Sequence, residues 1–337
     1  MENKKKISSV FKKKQCEVCG SDQHRFLFEG WDRVFGIPGR FNVVACKGCG
    51  LLFINPQPDP DVLKAFYPEH YYASNPSHYR EYSWLRRKVL EAYFGYNPSC
   101  QTSHGLHLIR KVCLLPFRMR YGHAIPFVEG GKILDIGCGN GTELYKLKSM
   151  GWETYGVEMD AQASERARSK EIRVYTGDLL GAKFPDQFFH VVRMSFVLEH
   201  LSNPRETLQE IRRILVPKGR IYISIQNAGS LHYRLFGPRW FSLDIPRHLF
   251  SFSPQTMQRL LSSMDLEVKS IWFDSGTRSF LASFQYIIND RYQRGAGYTA
   301  SQSVVKNRFL RAFSYPICWI ADRVGRGDLM FLEVVKG

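Results

Sequence analysis

The chain has 337 residues, 44% of them hydrophobic, which is enough for one large domain, one or two small ones and a full buried core. Its 47 Lys and Arg against 31 Asp and Glu give a formal charge of +16, which suits polyanions, anionic lipid surfaces or phosphate-bearing substrates as partners. No apolar run reaches the roughly 18 to 20 residues of a membrane span. Ile7-Ser8-Ser9-Val10-Phe11 is also too short and polar for a signal-peptide core, so a cytoplasmic protein without a transmembrane segment is expected.

Residues 1–15 carry Lys4-Lys5-Lys6 and Lys12-Lys13-Lys14 with too few apolar residues for a folded helix, and read as a basic flexible tail in preference to the alternative, a nucleic-acid arm. Residues 16–60 hold Cys16-Glu17-Val18-Cys19-Gly20 and Cys46-Lys47-Gly48-Cys49-Gly50, with 26 residues between the pairs. Thiolates two residues apart on a tight turn can face one ion, the following Gly permits positive φ, and two such turns supply four tetrahedral ligands. This spacing predicts a structural zinc site on Cys16, Cys19, Cys46 and Cys49. A closed four-thiolate site leaves no position for water and is assigned no catalysis. The other four of the eight cysteines are scattered, which fits a reduced chain better than a disulfide framework. Asn55-Pro56-Gln57-Pro58-Asp59-Pro60 is a rigid exit from this module. In 61–125, Leu63, Phe66, Tyr67, Trp84, Leu85, Val89 and Tyr93 recur at three- and four-residue intervals, predicting a helical linker or lid.

From 126 to 337 strands and helices alternate. The expected strands are 132–136, 153–158, 172–175, 189–194, 219–225, 268–273 and 330–335, with an insertion at about 276–328. One helix is well marked: Asn203 can cap it, Pro204 fits its first turn, Leu208, Ile211 and Leu215 form one apolar face, and Pro217-Lys218-Gly219 ends it. The expected fold is α/β, a Rossmann-like seven-stranded mixed sheet flanked by helices, with a small zinc-ribbon-like module at the N-terminus.

In Asp135-Ile136-Gly137-Cys138-Gly139-Asn140-Gly141 the glycines alternate, so the backbone can turn sharply at the end of the first sheet strand and approach a ligand closely. A dinucleotide site would space its glycines as GxGxxG around a pyrophosphate, which Asp135 would repel. A ligand with an ammonium group suits Asp135 better. Glu158, 17 residues past Gly141, ends the second strand, where a carboxylate can take both ribose hydroxyls of an adenosine. Asp178, just past the third strand, can take an adenine amino group. Met159 and Leu179 beside these acids, and Met194 and Ser195 at the end of the fourth strand, complete the expected lining.

On these residues the chain resembles the class I, seven-stranded S-adenosylmethionine-dependent methyltransferases. Their first motif, an acid followed by GxGxG, matches Asp135 to Gly141; their ribose-binding acid matches Glu158; and their adenine-side acid matches Asp178. Phe189 to His200 resembles the fourth strand and the Leu-Glu-His stretch after it, except that His190 stands where the family usually has Asp, at the strand's start and away from the crevice. The CxxCG…CxxCGL module, the proline-rich turn and the aromatic stretch Phe66, Tyr67, Tyr71, Tyr72 are similar to sugar methyltransferases, notably nucleotide-sugar C-methyltransferases, in which the small domain and its tyrosines help hold the substrate. The long C-terminal substrate domain of those enzymes is missing, with only about 50 residues inserted before the last strand.

Methyl transfer from a sulfonium needs an acceptor held in line and a base for its proton. The candidates are His200, after the fourth strand, and His248, in Asp244-Ile245-Pro246-Arg247-His248. His248 resembles the histidine of an acid–His pair in the sugar enzymes, with Arg247 in place of the acid and able to bind a phosphate of a nucleotide- or lipid-linked sugar. A capping or packing role suits either histidine equally well, and Glu199 can orient His200 or merely begin a helix. The expected acceptor is a small molecule or glycan (sugar, nucleotide-sugar or lipid-linked sugar), in polysaccharide or secondary-metabolite assembly. The alternative is an RNA methyltransferase using the zinc module and basic tail. Against it, Arg193-Met194-Ser195-Phe196 stands where adenine N-methylation uses an Asn/Asp-Pro-Pro-aromatic turn, and no Pro-Cys occurs for cytosine C5 chemistry. The segment from Phe309 to Val324 is either a basic amphipathic helix making weak peripheral membrane contact, or, more commonly, one folded back on the sheet, with Pro316 interrupting it.

Overall fold

A computed structural model describes residues 11–68, 81–96, 104–118, 124–291 and 303–337. Lys4-Lys5-Lys6, Tyr71 and Tyr72 lie outside the described residues. The strands in chain order are β1 (Phe11–Lys12), β2 (His24–Gly30), β3 (Phe41–Cys46), β4 (Leu52–Ile54), β5 (Gln57–Pro58), β6 (Lys132–Ile136), β7 (Glu153–Glu158), β8 (Arg173–Thr176), β9 (Phe189–Ser195), β10 (Leu215–Gln226), β11 (Phe250–Ser251), β12 (Leu266–Asp274) and β13 (Leu329–Lys336).

The large sheet is mixed and has seven strands in the order β12-β13-β10-β9-β6-β7-β8. Counted from β6 as the first strand, this is 3-2-1-4-5-7-6, so the order reverses between β6 and β9 and opens a crevice at their carboxyl ends. β6 pairs in parallel with both β7 and β9, and β7 with β8. Such strands are covered on both faces and read as continuous apolar runs; Ile133, Leu134, Val191, Val192 and Met194 are accordingly fully buried.

The chain folds as two compact units. One gathers the described parts of His70–Ser195, Gln209–Ile223 and Glu333–Gly337, the other those of Met1–Glu69, Phe196–Leu208 and Ser224–Leu332; β10 and β13 each run through both. The first unit contains β6 to β9. The second contains a four-stranded antiparallel sheet, β11-β4-β3-β2, and the β1–β5 pair. Val43, Phe53, Ile54 and Phe250 form its interior.

Three elements differ from the sequence expectation. Phe11–Lys12, within the expected flexible tail, pair antiparallel with β5, and the Lys14 N–H donates to Asn55 Oδ1 at 3.1 Å. The helix Pro204–Ile214 stops two residues short of Pro217, and the chain passes directly into β10 at Leu215, through Pro217. The N–H groups of Gln187 and Phe188 bind the carbonyls of Arg213 and Ile214, which ends the helix before the proline is reached. The helix Arg308–Arg323 runs through Pro316 without interruption. Pro316 and Ala312 are both exposed, so water can satisfy the carbonyl that the ring leaves without a donor. No helix among the described residues is long and apolar enough to cross a membrane.

Candidate functional site

The glycine-rich turn is built between β6 and β7. Gly137, Gly139 and Gly141 have φ of 68°, 54° and 73°, a region that strains any residue with a Cβ. A Cβ on Gly141 would lie 2.8 Å from Ala167 and 2.9 Å from Ile172, whereas one on Gly139 would meet nothing within 4 Å. Gly141 is therefore required by packing, and Gly139 leaves backbone open to a ligand. The N–H groups of Gly137 and Cys138 bind the Val157 carbonyl at 2.8 and 3.2 Å, and Asn140 Oδ1 accepts from the Thr142 N–H and hydroxyl.

Glu158 closes the turn. Its Oε2 accepts from the Gly139 N–H at 2.7 Å and its Oε1 from the Asp160 N–H at 2.9 Å. A carboxylate has about four lone-pair sites, so two remain for other donors. Asp135, at 2% exposure, accepts from Arg193 Nη1 at 2.5 Å through Oδ2, while its Oδ1 has no hydrogen-bond partner among the described residues. Burial raises its pKa to about 6 against the pull of Arg193. An orphaned, buried acceptor beside an open backbone turn fits a ligand that brings an ammonium donor. The pairing with Arg193 is not apparent from the sequence, because it follows from the register that sets Asp135 opposite Arg193.

The remaining predicted lining residues are less uniform. Met194 is buried opposite Ile136 and Ser195 ends β9. Met159 is exposed, Leu179 is buried, and Asp178 is exposed with Oδ1 accepting from the Gly181 N–H at 2.7 Å. His190, near the start of β9, accepts from the Lys132 N–H at 3.1 Å, away from the strand's carboxyl end.

In the other unit His200 and His248 come together, their ring centroids 4.7 Å apart at 75°. His200 belongs to the 3-10 turn Leu198–His200 just after β9; His248 lies 22 residues past the end of β10, beyond the helix Leu231–Phe236 and two 3-10 turns. His200 Nδ1 lies 2.9 Å from the Arg247 carbonyl and 3.1 Å from the Tyr67 hydroxyl, and His248 Nδ1 lies 2.8 Å from the Ser242 carbonyl. A donating Nδ1–H in each ring makes its Nε2 an acceptor, and that of His248 lies 3.4 Å from Gln226 Nε2, which can donate to it. Burial, reinforced by His248, pushes the His200 pKa down to about 3. Glu199 does more than begin a turn: it is fully buried, with Oε1 accepting from Gln226 at 2.8 Å, and burial raises its pKa.

Arg247 is not free to bind a phosphate. Its guanidinium is buried and donates to Asp244, to Asp32 at 2.6 Å and to the Phe66 carbonyl at 2.9 Å. Two acids lie near His248: Asp244, four residues earlier, with Oδ2 3.9 Å from Nε2, and Glu199, with a carboxylate oxygen within 4.8 Å of a ring nitrogen.

The four cysteines converge in the same unit. Cys16 Sγ is 3.4 Å from Cys49 Sγ, Cys19 Sγ is 3.4 Å from Cys46 Sγ, and all four sulfurs lie within 4.8 Å of one another. The two turns are built alike: Gly20 and Gly50, at φ of 72° and 81°, return their N–H groups to Cys16 and Cys46. Burial raises the thiols of Cys16 and of Cys49, the latter to about 11; at Cys46 burial is the largest effect, but hydrogen bonds from Cys19, the Cys49 and Gly48 N–H groups and Cys16 together outweigh it and draw the thiol down to about 7. Four crowded sulfurs without a disulfide are the donor set of a thiophilic divalent ion.

Residues 107–271 match a family model described as a methyltransferase domain. The ubiquinone biosynthesis O-methyltransferase of Glaesserella parasuis is 27% identical over 159 residues, 42% of this chain and 67% of that protein. The chain is an S-adenosylmethionine-dependent methyltransferase. The ubiquinone biosynthesis O-methyltransferase of Paraburkholderia phytofirmans is 21% identical to this methyltransferase, over 52% of the chain and 83% of that protein. A solved S-adenosylmethionine-dependent methyltransferase from Archaeoglobus fulgidus is similar at 22% identity and a TM-score of 0.43, covering 66% of this chain and 94% of that one.

Proposed function

We propose that the enzyme transfers the methyl group of S-adenosylmethionine to a proton-bearing atom of a small-molecule or glycan acceptor. The observation that carries the cofactor assignment is the unpartnered Oδ1 of Asp135 beside the open turn at Gly139. In this reading Asp135 takes the methionine ammonium, Glu158 takes the ribose hydroxyls with its two remaining lone-pair sites, Asp178 takes the adenine amino group, and Cys138, Asn140, Met159, Leu179, Met194 and Ser195 line the cofactor. When bound, S-adenosylmethionine supplies an electrophilic methyl on a sulfonium, which leaves as a neutral thioether.

His248 is the proposed base, with His200 beside it. An imidazole whose Nδ1–H is held by the Ser242 carbonyl has Nε2 as its basic atom, and taking the acceptor's proton there would displace the 3.4 Å contact with Gln226 Nε2. His200 follows Ser195 by five residues, so the chain carries this histidine from the carboxyl end of β9, the strand next to β6. The names of the relatives, O-methyltransferases of a small molecule, support a hydroxyl acceptor. Cys16, Cys19, Cys46 and Cys49 are proposed to hold one zinc ion that fixes the module and takes no part in methyl transfer. Incubation with methyl-labelled S-adenosylmethionine and a panel of phenolic, catecholic and sugar acceptors tests the reading. Labelled product from at least one hydroxyl acceptor, lost in His248→Ala, is expected; label transferred only to RNA would overturn it.

A further inference from the structure

The helix Arg308–Arg323 is apolar on both sides. Ser314, Cys318 and Ala321 face inward, where the helix packs on Thr277–Arg291 and β12. The opposite side would ordinarily be polar. Here Phe309, Phe313, Pro316 and Ile320 recur at four, three and four residues along the outward face, with Phe309 and Phe313 at 87% and 77% exposure. Trp319 and Tyr315 flank this stripe, both exposed. Lys306, Arg308, Arg311 and Arg323 lie along the same segment, and Arg323 sits over the Trp319 ring, 4.8 Å from its centroid. The one acid of 303–324, Asp322, is turned to the Ser275 hydroxyl at 2.6 Å. The supporting helix exposes Phe284 and Ile287 as well.

We propose that this face docks on an anionic phospholipid surface, with the phenylalanines entering the acyl boundary and the arginines meeting lipid phosphates. Aromatic residues bordered by cations, with exposed apolar side chains projecting outward, are the composition of an interfacial helix. A second copy of the chain is a poorer occupant. A two-fold contact through this stripe would bring its arginines against their own images with no carboxylate to compensate. This inference stands apart from the cofactor site and holds whether or not the methyl-transfer reading does.

The test is co-sedimentation of the full chain with vesicles of phosphatidylcholine alone and of phosphatidylcholine mixed with phosphatidylglycerol, together with its oligomeric state by light scattering. The expected result is a monomer that pellets with the mixed vesicles, weakly or not at all with the neutral ones, and less as salt rises. Phe309→Ser with Phe313→Ser should weaken binding more than about tenfold, since two apolar side chains lose their burial. Arg308→Glu and Arg311→Glu should each weaken it roughly fivefold or more. All these residues are exposed, so the melting temperature and S-adenosylmethionine affinity should stay at the wild-type values. Three results would overturn the proposal: wild type left in the supernatant with mixed vesicles, unchanged binding in the phenylalanine double variant, or a wild-type dimer that Phe313→Ser converts to monomer.

Discussion

Replacing Glu158 by Ala should separate cofactor binding from folding. In the free protein the carboxylate accepts from the N–H groups of Gly139 and Asp160, and in the complex it is expected to accept two ribose hydroxyls as well. Hydrogen bonds to a charged group are worth about 1.5 to 3 kcal/mol each. Losing the two to the ribose then weakens binding by about 3 to 6 kcal/mol, or roughly two to four orders of magnitude in Kd. Losing the two to the backbone lowers stability by about 2 to 4 kcal/mol, because water can reach the turn and partly replace them. Glu158→Gln is the sharper probe. Its amide oxygen can replace one acceptor, while its NH2 would face the Gly139 N–H or a hydroxyl, so a loss of about tenfold to a hundredfold is expected. Isothermal titration calorimetry gives Kd, and thermal melts without ligand give the stability loss. A Glu158→Ala protein that binds S-adenosylmethionine within threefold of wild type would refute the assignment of Glu158 to the ribose.

Other outcomes follow from the same geometry. Asp135, with a pKa of about 6 in the free protein, must be ionised to hold an ammonium, so apparent affinity should fall as pH drops below about 6, approaching tenfold per pH unit; calorimetry across pH 5 to 8 checks this, and Asp135→Asn should bind weakly with no such slope. His248→Ala should leave Kd for the cofactor unchanged and lower turnover by roughly two to four orders of magnitude, the usual worth of a positioned base; steady-state kinetics with equal rates would remove His248 from that role. Metal analysis should find one zinc per chain, and Cys16→Ser should lower both zinc content and melting temperature. A fold indifferent to chelation would exclude the zinc site.

The parts of the molecule legible in the sequence are those whose cause is local. Gly137, Gly139 and Gly141 show themselves because left-handed backbone demands glycine, and Asp135 and Glu158 because strand ends recur at a regular spacing. The two CxxCG turns are equally local, and their sulfurs converge. What the sequence conceals depends on register and on distant pairings. Arg193 meets Asp135 across 58 residues because β6 and β9 align, and Arg247 is consumed by Asp32 from 215 residues away, which is why it reads as a phosphate ligand until the fold is seen. Pro316 reads as a break because its exposure, which lets water serve the orphaned carbonyl, is a tertiary property. The helix after Asn203 ends early for a similar reason, since Gln187 and Phe188 claim its last carbonyls.

The central claim is that the turn at residues 137–141, with Asp135 and Glu158, holds S-adenosylmethionine. Its most direct test is calorimetric titration of S-adenosylmethionine into the wild-type chain, repeated with Asp135→Ala and Glu158→Ala variants shown by thermal melts to be folded. The account predicts one site per chain, competition by S-adenosylhomocysteine, and loss of binding in both variants. No binding to wild type, or undiminished binding in both variants, would contradict it.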